Sequence, residues 1–83
     1  MIDMSRRMNV QVDKVSSKMV VTYAPKTDRT IYDLCDLNGR VIRTGAIEKE
    51  ETVLDISGLS ARGYVMLIVD GDQVISQRVN FAA

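Results

Sequence analysis

The strongest constraint on the fold is an alternation of apolar and polar residues that repeats every two positions rather than every 3.6. Residues 8–13 alternate in this way, and residues 18–23 place Met19, Val21 and Tyr23 on one side of an extended chain. Successive side chains of a β-strand point to opposite faces, so this period is typical of strands with one buried face. The pattern therefore predicts an all-β protein.

Turn-forming residues separate the alternating segments at short intervals. Asn38-Gly39 strongly favours a tight hairpin turn, and Gly71 between two aspartates predicts the last turn. Gly45 and the charged residues 48–51 predict a solvated connection. We expect strands over residues 8–13, 18–23, 30–37, from 41 onward, 52–56, 64–69 and 73–81. Such strands bury their apolar faces most simply in an antiparallel β-sandwich of about seven strands.

The length of 83 residues allows one modest core, because a chain this short buries only about 60% of the surface that it exposes when unfolded. We therefore expect a single sandwich domain over residues 1–83, with residues 1–6 flexible. The expected core consists of the apolar residues in phase on the strands: Val10, Val12, Met19, Val21, Leu34, Ile42, Leu54, Ile56, Leu59, Tyr64, Met66, Ile68, Ile75 and Val79.

The composition argues against catalysis. The chain has no histidine and one cysteine, so it lacks an imidazole base for nucleophilic catalysis and cannot form an internal disulfide or a cysteine-based zinc site. The sequence also lacks a glycine-rich phosphate loop and a nucleophile elbow. We expect no enzyme activity, no catalytic residues and no cofactor.

Two kinds of residue invite a sharper interpretation. Cys35 is predicted to be a small buried hydrophobe, with an intermolecular disulfide as the alternative. The Asp70-Gly71-Asp72 segment superficially resembles a calcium loop, but the rest of an EF-hand pattern is missing. Turn formation explains both aspartates, so we expect no metal site.

A longer motif begins at Asp36. The chain reads Asp-Leu-Asn-Gly-Arg at residues 36–40, and Leu-Asp-Ile-Ser-Gly-Leu at residues 54–59 precedes Tyr64. The matching positions are Asp36, Gly39, Arg40, Leu54, Asp55, Ile56, Ser57, Leu59 and Tyr64. This half of the chain resembles the C-terminal sorting domains of type IX secretion substrates. It is equally similar to small secreted immunoglobulin-like sandwich proteins of unknown function. The resemblance implies that the expected all-β fold is an immunoglobulin-like antiparallel β-sandwich of about seven strands.

The chain departs from the sorting-domain pattern at three places. Arg62 stands where a glycine is usual, with Gly63 displaced by one position; the asparagine-proline lead-in is absent; and the last residues lack a basic, valine-rich ending. The motif residues also have a structural interpretation. Asn38 and Gly39 would form a hairpin turn, and Tyr64 would make a tyrosine corner by hydrogen bonding to the preceding loop.

For function, we expect a non-catalytic accessory or interaction module of an exported or cell-surface protein. The resemblance leaves a sorting domain as one alternative, and a carbohydrate- or protein-binding module is another. The expected partner is a protein or a second copy, bound through the exposed sheet edges at residues 6–13 and 73–81 or through a sheet face. If no signal peptide is missing, the chain would be cytoplasmic.

The net charge is zero, with eleven basic and eleven acidic residues, and it provides no field that would attract nucleic acid. The basic residues, among them Arg6 and Arg7, are interspersed with acidic ones, and only four residues are aromatic. We therefore expect no nucleic-acid partner. No apolar run approaches the length of a transmembrane helix, and we expect no membrane insertion.

Overall fold

A computed structural model describes residues 8–81 and contains seven strands and no helix within that range. Their bounds are β1 Asn9–Asp13, β2 Lys18–Thr22, β3 Thr30–Cys35, β4 Val41–Ala46, β5 Glu51–Asp55, β6 Gly63–Asp70 and β7 Gln73–Asn80. They form two packed antiparallel sheets, a three-stranded one in the order β1-β2-β5 and a four-stranded one in the order β4-β3-β6-β7. The prediction of an all-β sandwich is confirmed. The expected flexible segment, residues 1–6, lies outside the described residues.

The core lies between the two sheets and consists of the apolar residues that the alternation placed in phase. Met19, Leu34, Met66 and Ile68 have no accessible surface. Every residue of the predicted core is either buried or packed against the buried cluster. The cluster also includes residues that the predicted core omitted: Met8, Tyr23, Tyr32, Ile47 and Phe81.

The prediction that Gly45 belongs to a solvated connection is wrong. Gly45 lies within β4 and pairs with Tyr32 of β3. A Cβ atom at position 45 would lie 2.7 Å from Cε2 of Tyr32, so the tyrosine ring covers the glycine backbone. A glycine weakens a strand because it offers no side chain to pack, and an aromatic ring across the strand pair supplies that packing.

The hairpin between β3 and β4 differs from a two-residue Asn-Gly turn. Gly39 has a φ of +89°, whereas Asn38 does not share a positive φ. The amide of Gly39 donates to the carbonyl of Asp36, and the amide of Asp36 donates to the carbonyl of Arg40. The loop is therefore a type I turn followed by a left-handed glycine, which is a common three-residue hairpin connection.

The turn between β6 and β7 has two residues, Gly71 and Asp72, because Asp70 pairs with Gln73. Gly71 has a φ of +62°, which is the conformation that the first central residue of a type II′ turn requires. Within the described range, β1 and β5 are the edges of the smaller sheet, and β4 and β7 are the edges of the larger one. The sequence predicted edge strands at residues 6–13 and 73–81. The structure confirms this for β1 and β7, while residues 6 and 7 lie outside the described range.

Candidate interaction surface

The four-stranded sheet has an outer face that points away from the core. Its twelve positions form three cross-strand rows in the order β4, β3, β6, β7. The rows are Ala46, Ile31, Val69, Val74; then Thr44, Asp33, Leu67, Ser76; then Val41, Cys35, Val65, Arg78. Eight of these twelve side chains are apolar. We refer to these twelve positions as the outer face.

The comparable face of the three-stranded sheet is polar. Its nine positions are Asn9, Thr22, Glu51, Gln11, Val20, Val53, Asp13, Lys18 and Asp55. Only two of the nine are apolar. An antiparallel sheet with one solvated face normally carries polar residues on that face. The smaller sheet follows this rule, whereas the outer face of the larger sheet departs from it.

Apolar side chains on the outer face are accessible to solvent within the described chain. Ile31 is 41% exposed, Val41 is 50% exposed and Val74 is 64% exposed. Between them, Val65, Leu67 and Val69 of β6 are half-buried. The sequence signal for this surface is that β6 lacks polar alternation, since its inward-facing residues Met66 and Ile68 are apolar as well.

Cys35 is buried, as the sequence predicted. It belongs to the outer face rather than to the core between the sheets, because it pairs with Val41 and Val65 and is absent from the core cluster. Burial, and then the negative charges of Asp33 and Asp36, raise the pKa of the Cys35 thiol. The thiol is therefore protonated at neutral pH and apolar in character, but because Cys35 is buried it adds little accessible area to this surface.

The two charged residues of the outer face have opposite signs. Asp33 lies in the middle row on β3, and Arg78 lies in the last row on the edge strand β7. The Arg78 guanidinium covers Gly63, because a Cβ at that glycine would lie 3.1 Å from the guanidinium nitrogen Nη2. The outer face is thus a mostly apolar surface with one acidic and one basic position.

The Asp36 motif residues are engaged in the β3–β4 hairpin. Oδ1 of Asp36 accepts hydrogen bonds from the amides of Asn38 and Arg40, both at 2.9 Å. Nε of Arg40 lies 3.3 Å from Oδ2 of Asp36. The hydrogen bond from the Arg40 amide lowers the pKa of Asp36, whereas desolvation raises it. The hydrogen bond from the Asn38 amide and the positive charge of Arg40 add to the lowering, so the pKa lies below its usual value. Asp36, Gly39 and Arg40 therefore stabilise the hairpin turn: Asp36 and Arg40 contact each other across it, and Gly39 adopts its positive φ.

The second half of the motif supports the β5–β6 connection. Leu54 and Ile56 are core residues and Leu59 packs against the core, while Asp55 accepts hydrogen bonds from the amide and hydroxyl of Ser57 at 2.9 and 2.7 Å. Tyr64 accepts a hydrogen bond from the amide of Ala61 at 3.0 Å. Its ring lies against Phe81, with 4.6 Å between the ring centroids. The bond to the preceding loop is the one expected of a tyrosine corner.

Asp70 has a larger role than the turn residue that the sequence indicated. It is 2% exposed, and its carboxylate accepts hydrogen bonds from the Tyr23 hydroxyl, the Lys26 amide and both the amide and the hydroxyl of Thr27. The Thr30 hydroxyl lies 2.9 Å from Oδ1 of Asp70. Hydrogen bonds to this carboxylate thus connect the segment between β2 and β3 to the end of β6. No pattern local to residues 70–72 could have indicated these partners, because they are 40 or more positions away.

Burial alone would raise the pKa of Asp70, but the hydrogen bonds from Tyr23, Lys26, Thr27 and Thr30 outweigh burial and hold that pKa far below its usual value. Hydrogen bonds to the ionised form stabilise it. Asp70 is therefore a carboxylate throughout the physiological range. Because its acceptor oxygens are occupied by donors from its own chain, we assign it a structural role.

An open pocket of about 310 Å³ lies between the β1–β2 turn and the β5–β6 connection. It is lined by Lys14, Ser17, Ile56, Ser57, Gly58, Leu59, Ser60, Ala61 and Phe81. One amine and three hydroxyls could hydrogen bond a small ligand there. Among the described lining residues there is no carboxylate or imidazole, and the Ser57 hydroxyl donates to the Asp55 carboxylate, which also accepts from the Ser57 amide.

Among residues 8–81, no group of three or more histidine, cysteine, aspartate or glutamate side chains could hold a metal ion. The same residues include no helix long and apolar enough to cross a membrane. In comparisons with known proteins, no family model and no curated protein matches the sequence. A function for this chain is therefore inferred from the geometry of its own residues.

Proposed function

We propose that this protein is a non-catalytic interaction module that binds a partner protein through the outer face of its four-stranded sheet. The observation that carries the proposal is the apolar character of eight of its twelve positions, of which all but Cys35 are exposed or half-buried. Contiguous exposed apolar patches are costly in water and mark interaction sites in folded proteins. The polar face of the smaller sheet provides an internal contrast within the same fold.

The chemistry of the outer face specifies the kind of partner. Val65, Leu67 and Val69 form an apolar centre along β6, and Asp33 and Arg78 provide one charge of each sign. A matching surface would have an apolar centre, a basic group facing Asp33 and an acidic group facing Arg78. Charges placed in this way favour one orientation of the partner and disfavour others.

Lysine substitutions on the two sheets test this proposal. Ile31→Lys with Val41→Lys would place two charges on the outer face at positions that are already exposed, so the fold should persist. Val53→Lys is the matched control, because Val53 is 55% exposed on the polar face of the smaller sheet. We expect one identifiable protein to be captured from extracts of the source cells by the wild type and the control, and lost by the double variant.

Binding of that protein should then be measured with purified components. We expect the double variant to weaken its affinity at least tenfold, while the control changes it little. Equal affinity for the wild type, the double variant and the control would overturn the proposal. So would the failure of the wild type to retain any protein that the double variant loses.

The proposal extends to fold type and compartment. The first, second and fifth strands share one sheet, while the third, sixth and seventh share the other. Constant-type immunoglobulin sandwiches distribute these six strands in the same way, but their fourth strand joins the sheet of the first, second and fifth, whereas β4 here pairs with β3. This distribution supports an immunoglobulin-like fold. Many cell-surface domains share that architecture, which is in keeping with an accessory module of an exported or cell-surface protein.

Two other functions stay predictions. A sorting role would be tested by fusing residues 30–83 to a reporter in a host with a type IX secretion system, where failure to export the reporter would exclude it.

A ligand-binding role is favoured by the open pocket beside Phe81. A glycan array would test its carbohydrate version, and Ser57→Trp, which would place an indole ring in the pocket lining, should abolish any signal obtained.

A further inference from the structure

The outer edge of β7 lacks the features that normally keep sheet edges apart. β7 has eight residues, pairs with β6 without a register shift and contains one charged residue, Arg78, and no proline. The other edges are shorter or irregular: β1 and β5 have five residues each, and β4 contains a bulge opposite Leu34 and Cys35. Short strands, bulges, charges and proline protect edges against pairing with another chain. Of the four sheet edges formed by residues 8–81, β7 is the least protected.

The hydrogen-bonding pattern defines which groups of β7 face outward. Asp70 and Gln73 close a two-residue turn, and the amide of Phe81 donates to the carbonyl of Arg62 at 2.7 Å. Bonded and non-bonded pairs alternate along an antiparallel ladder, so the odd-numbered residues of β7 bond to β6. The backbone N–H and C=O groups of the even-numbered residues point away from β6; these residues are Val74, Ser76, Arg78 and Asn80.

We infer that β7 pairs with β7 of a second copy in antiparallel orientation, with Gln77 opposite Gln77 of the partner on the two-fold axis. In this register Ser76 faces the partner's Arg78, and Val74 faces the partner's Asn80. All four outward-facing residues of each copy then form bonded pairs, which gives eight backbone hydrogen bonds. Centring the pair on Ser76 instead would give six.

The side chains are compatible with this register. On the inner side, Ile75 faces the partner's Val79, so apolar residues meet. Arg78 is the only charge on β7, and it lies opposite a serine rather than its own equivalent. Its guanidinium covers Gly63 of β6, which directs it away from the edge. The net charge of zero adds no repulsion between copies.

The size of the outer face supplies an independent reason for a second copy, and this step rests on the proposed function. With about 4.8 Å between strands and about 6.7 Å between alternate residues, four strands by three rows cover about 390 Å². A standard protein interface buries about 800 Å² on each partner. A two-fold axis perpendicular to the sheet places both outer faces on the same side of one eight-stranded sheet. Pairing therefore doubles the surface to about 780 Å².

Sedimentation equilibrium over a range of protein concentrations tests the pairing. We expect the wild type to form a dimer reversibly. Ser76→Pro removes an outward N–H without removing a bond to β6, since edge strands tolerate proline at such positions. It should weaken dimerisation about tenfold or more through the two lost bonds, with an unchanged β-sheet circular dichroism spectrum.

A charge-pairing experiment tests the register and does not depend on proline being tolerated. Gln77 is exposed, so Gln77→Lys and Gln77→Glu should both fold, and each would place like charges opposite each other on the axis. We expect each variant alone to be monomeric at concentrations where the wild type is dimeric. An equimolar mixture should form a heterodimer, detectable by native mass spectrometry.

A wild type that remains monomeric at millimolar concentration would overturn the inference. So would a dimer that persists unchanged in Ser76→Pro and in both Gln77 variants. If Ile31→Lys with Val41→Lys abolished a dimer that Ser76→Pro left intact, the copies would be meeting through the outer face and the edge pairing would be wrong. A wild type that forms the edge dimer but captures no partner would contradict the proposed function alone. A wild type that captures the partner but stays monomeric would contradict the pairing alone.

Discussion

The Tyr23 hydroxyl donates a hydrogen bond of 2.6 Å to Oδ2 of Asp70 across 47 positions of sequence. Tyr23 follows β2 of one sheet and Asp70 ends β6 of the other, so this bond connects the two layers at a point where both residues are buried. It belongs to the group of donors that surrounds the Asp70 carboxylate. The stability of the sandwich should therefore depend on this carboxylate.

We expect Asp70→Asn to destabilise the fold by about 2–4 kcal/mol. The NH2 group of the asparagine would replace either Oδ2, which accepts from Tyr23 and Lys26, or Oδ1, which accepts from Thr27. In either orientation buried donors lose their acceptor, which costs their desolvation. Urea unfolding followed by circular dichroism would measure the change. Asp72→Asn, in the same turn but exposed, is the matched control and should change the stability by less than about 0.5 kcal/mol. Similar effects at both positions would contradict the role assigned to Asp70.

The Asp70 carboxylate should also make the fold sensitive to acid. Its pKa in the folded state lies below the unfolded value of about 3.9, so its contribution is present above that value and is lost as the pH falls further towards the folded pKa. The wild type should therefore lose stability from about pH 5 to pH 2. Asp70→Asn should show a shallower slope over the same interval. The unfolding free energy at a series of pH values would test this, and parallel curves for the two proteins would exclude Asp70 as a source of the slope.

Gly45→Ala should destabilise the protein by about 1–3 kcal/mol, because the added methyl group would lie 2.7 Å from Cε2 of Tyr32 and overpack the site. The penalty should disappear when the ring is removed. We therefore expect Gly45→Ala to be close to neutral in a Tyr32→Ala background, although that background is itself destabilised. Thermal unfolding of the four proteins gives the coupling energy, and a coupling near zero would contradict the close approach.

Tyr64→Phe should cost about 1 kcal/mol, since it removes the acceptor for the Ala61 amide while it keeps the ring against Phe81. Tyr64→Leu should cost more, because it also removes the ring contact. Hydrogen exchange at the Ala61 amide provides a local measurement. Exchange there should accelerate in Tyr64→Phe and remain slow for the Phe81 amide, which bonds to the Arg62 carbonyl instead. Equal protection of Ala61 in the wild type and in Tyr64→Phe would contradict the tyrosine corner.

Local patterns in the sequence were sufficient for the strands and for most of the core. The alternation at Met19, Val21 and Tyr23, or at Leu54 and Ile56, identifies an inward face because the side-chain period of a strand is two. Hairpin glycines such as Gly71 mark turns because their backbone adopts positive φ without strain. The apolar run of residues 64–69 also indicated that β6 would be an inner strand, and it lies between β3 and β7.

The tertiary structure decided the features that depend on distant residues. Gly45 looked like part of a loop, and only its pairing with Tyr32 makes it a strand residue. Asp70 looked like a turn residue, and its donors come from residues 23–30. The outer face requires the order β4-β3-β6-β7, because Ile31, Val69 and Val74 are neighbours only once those strands pair. Period and turn chemistry are local properties of a chain, whereas sheet order and buried hydrogen bonds arise from contacts that folding brings together.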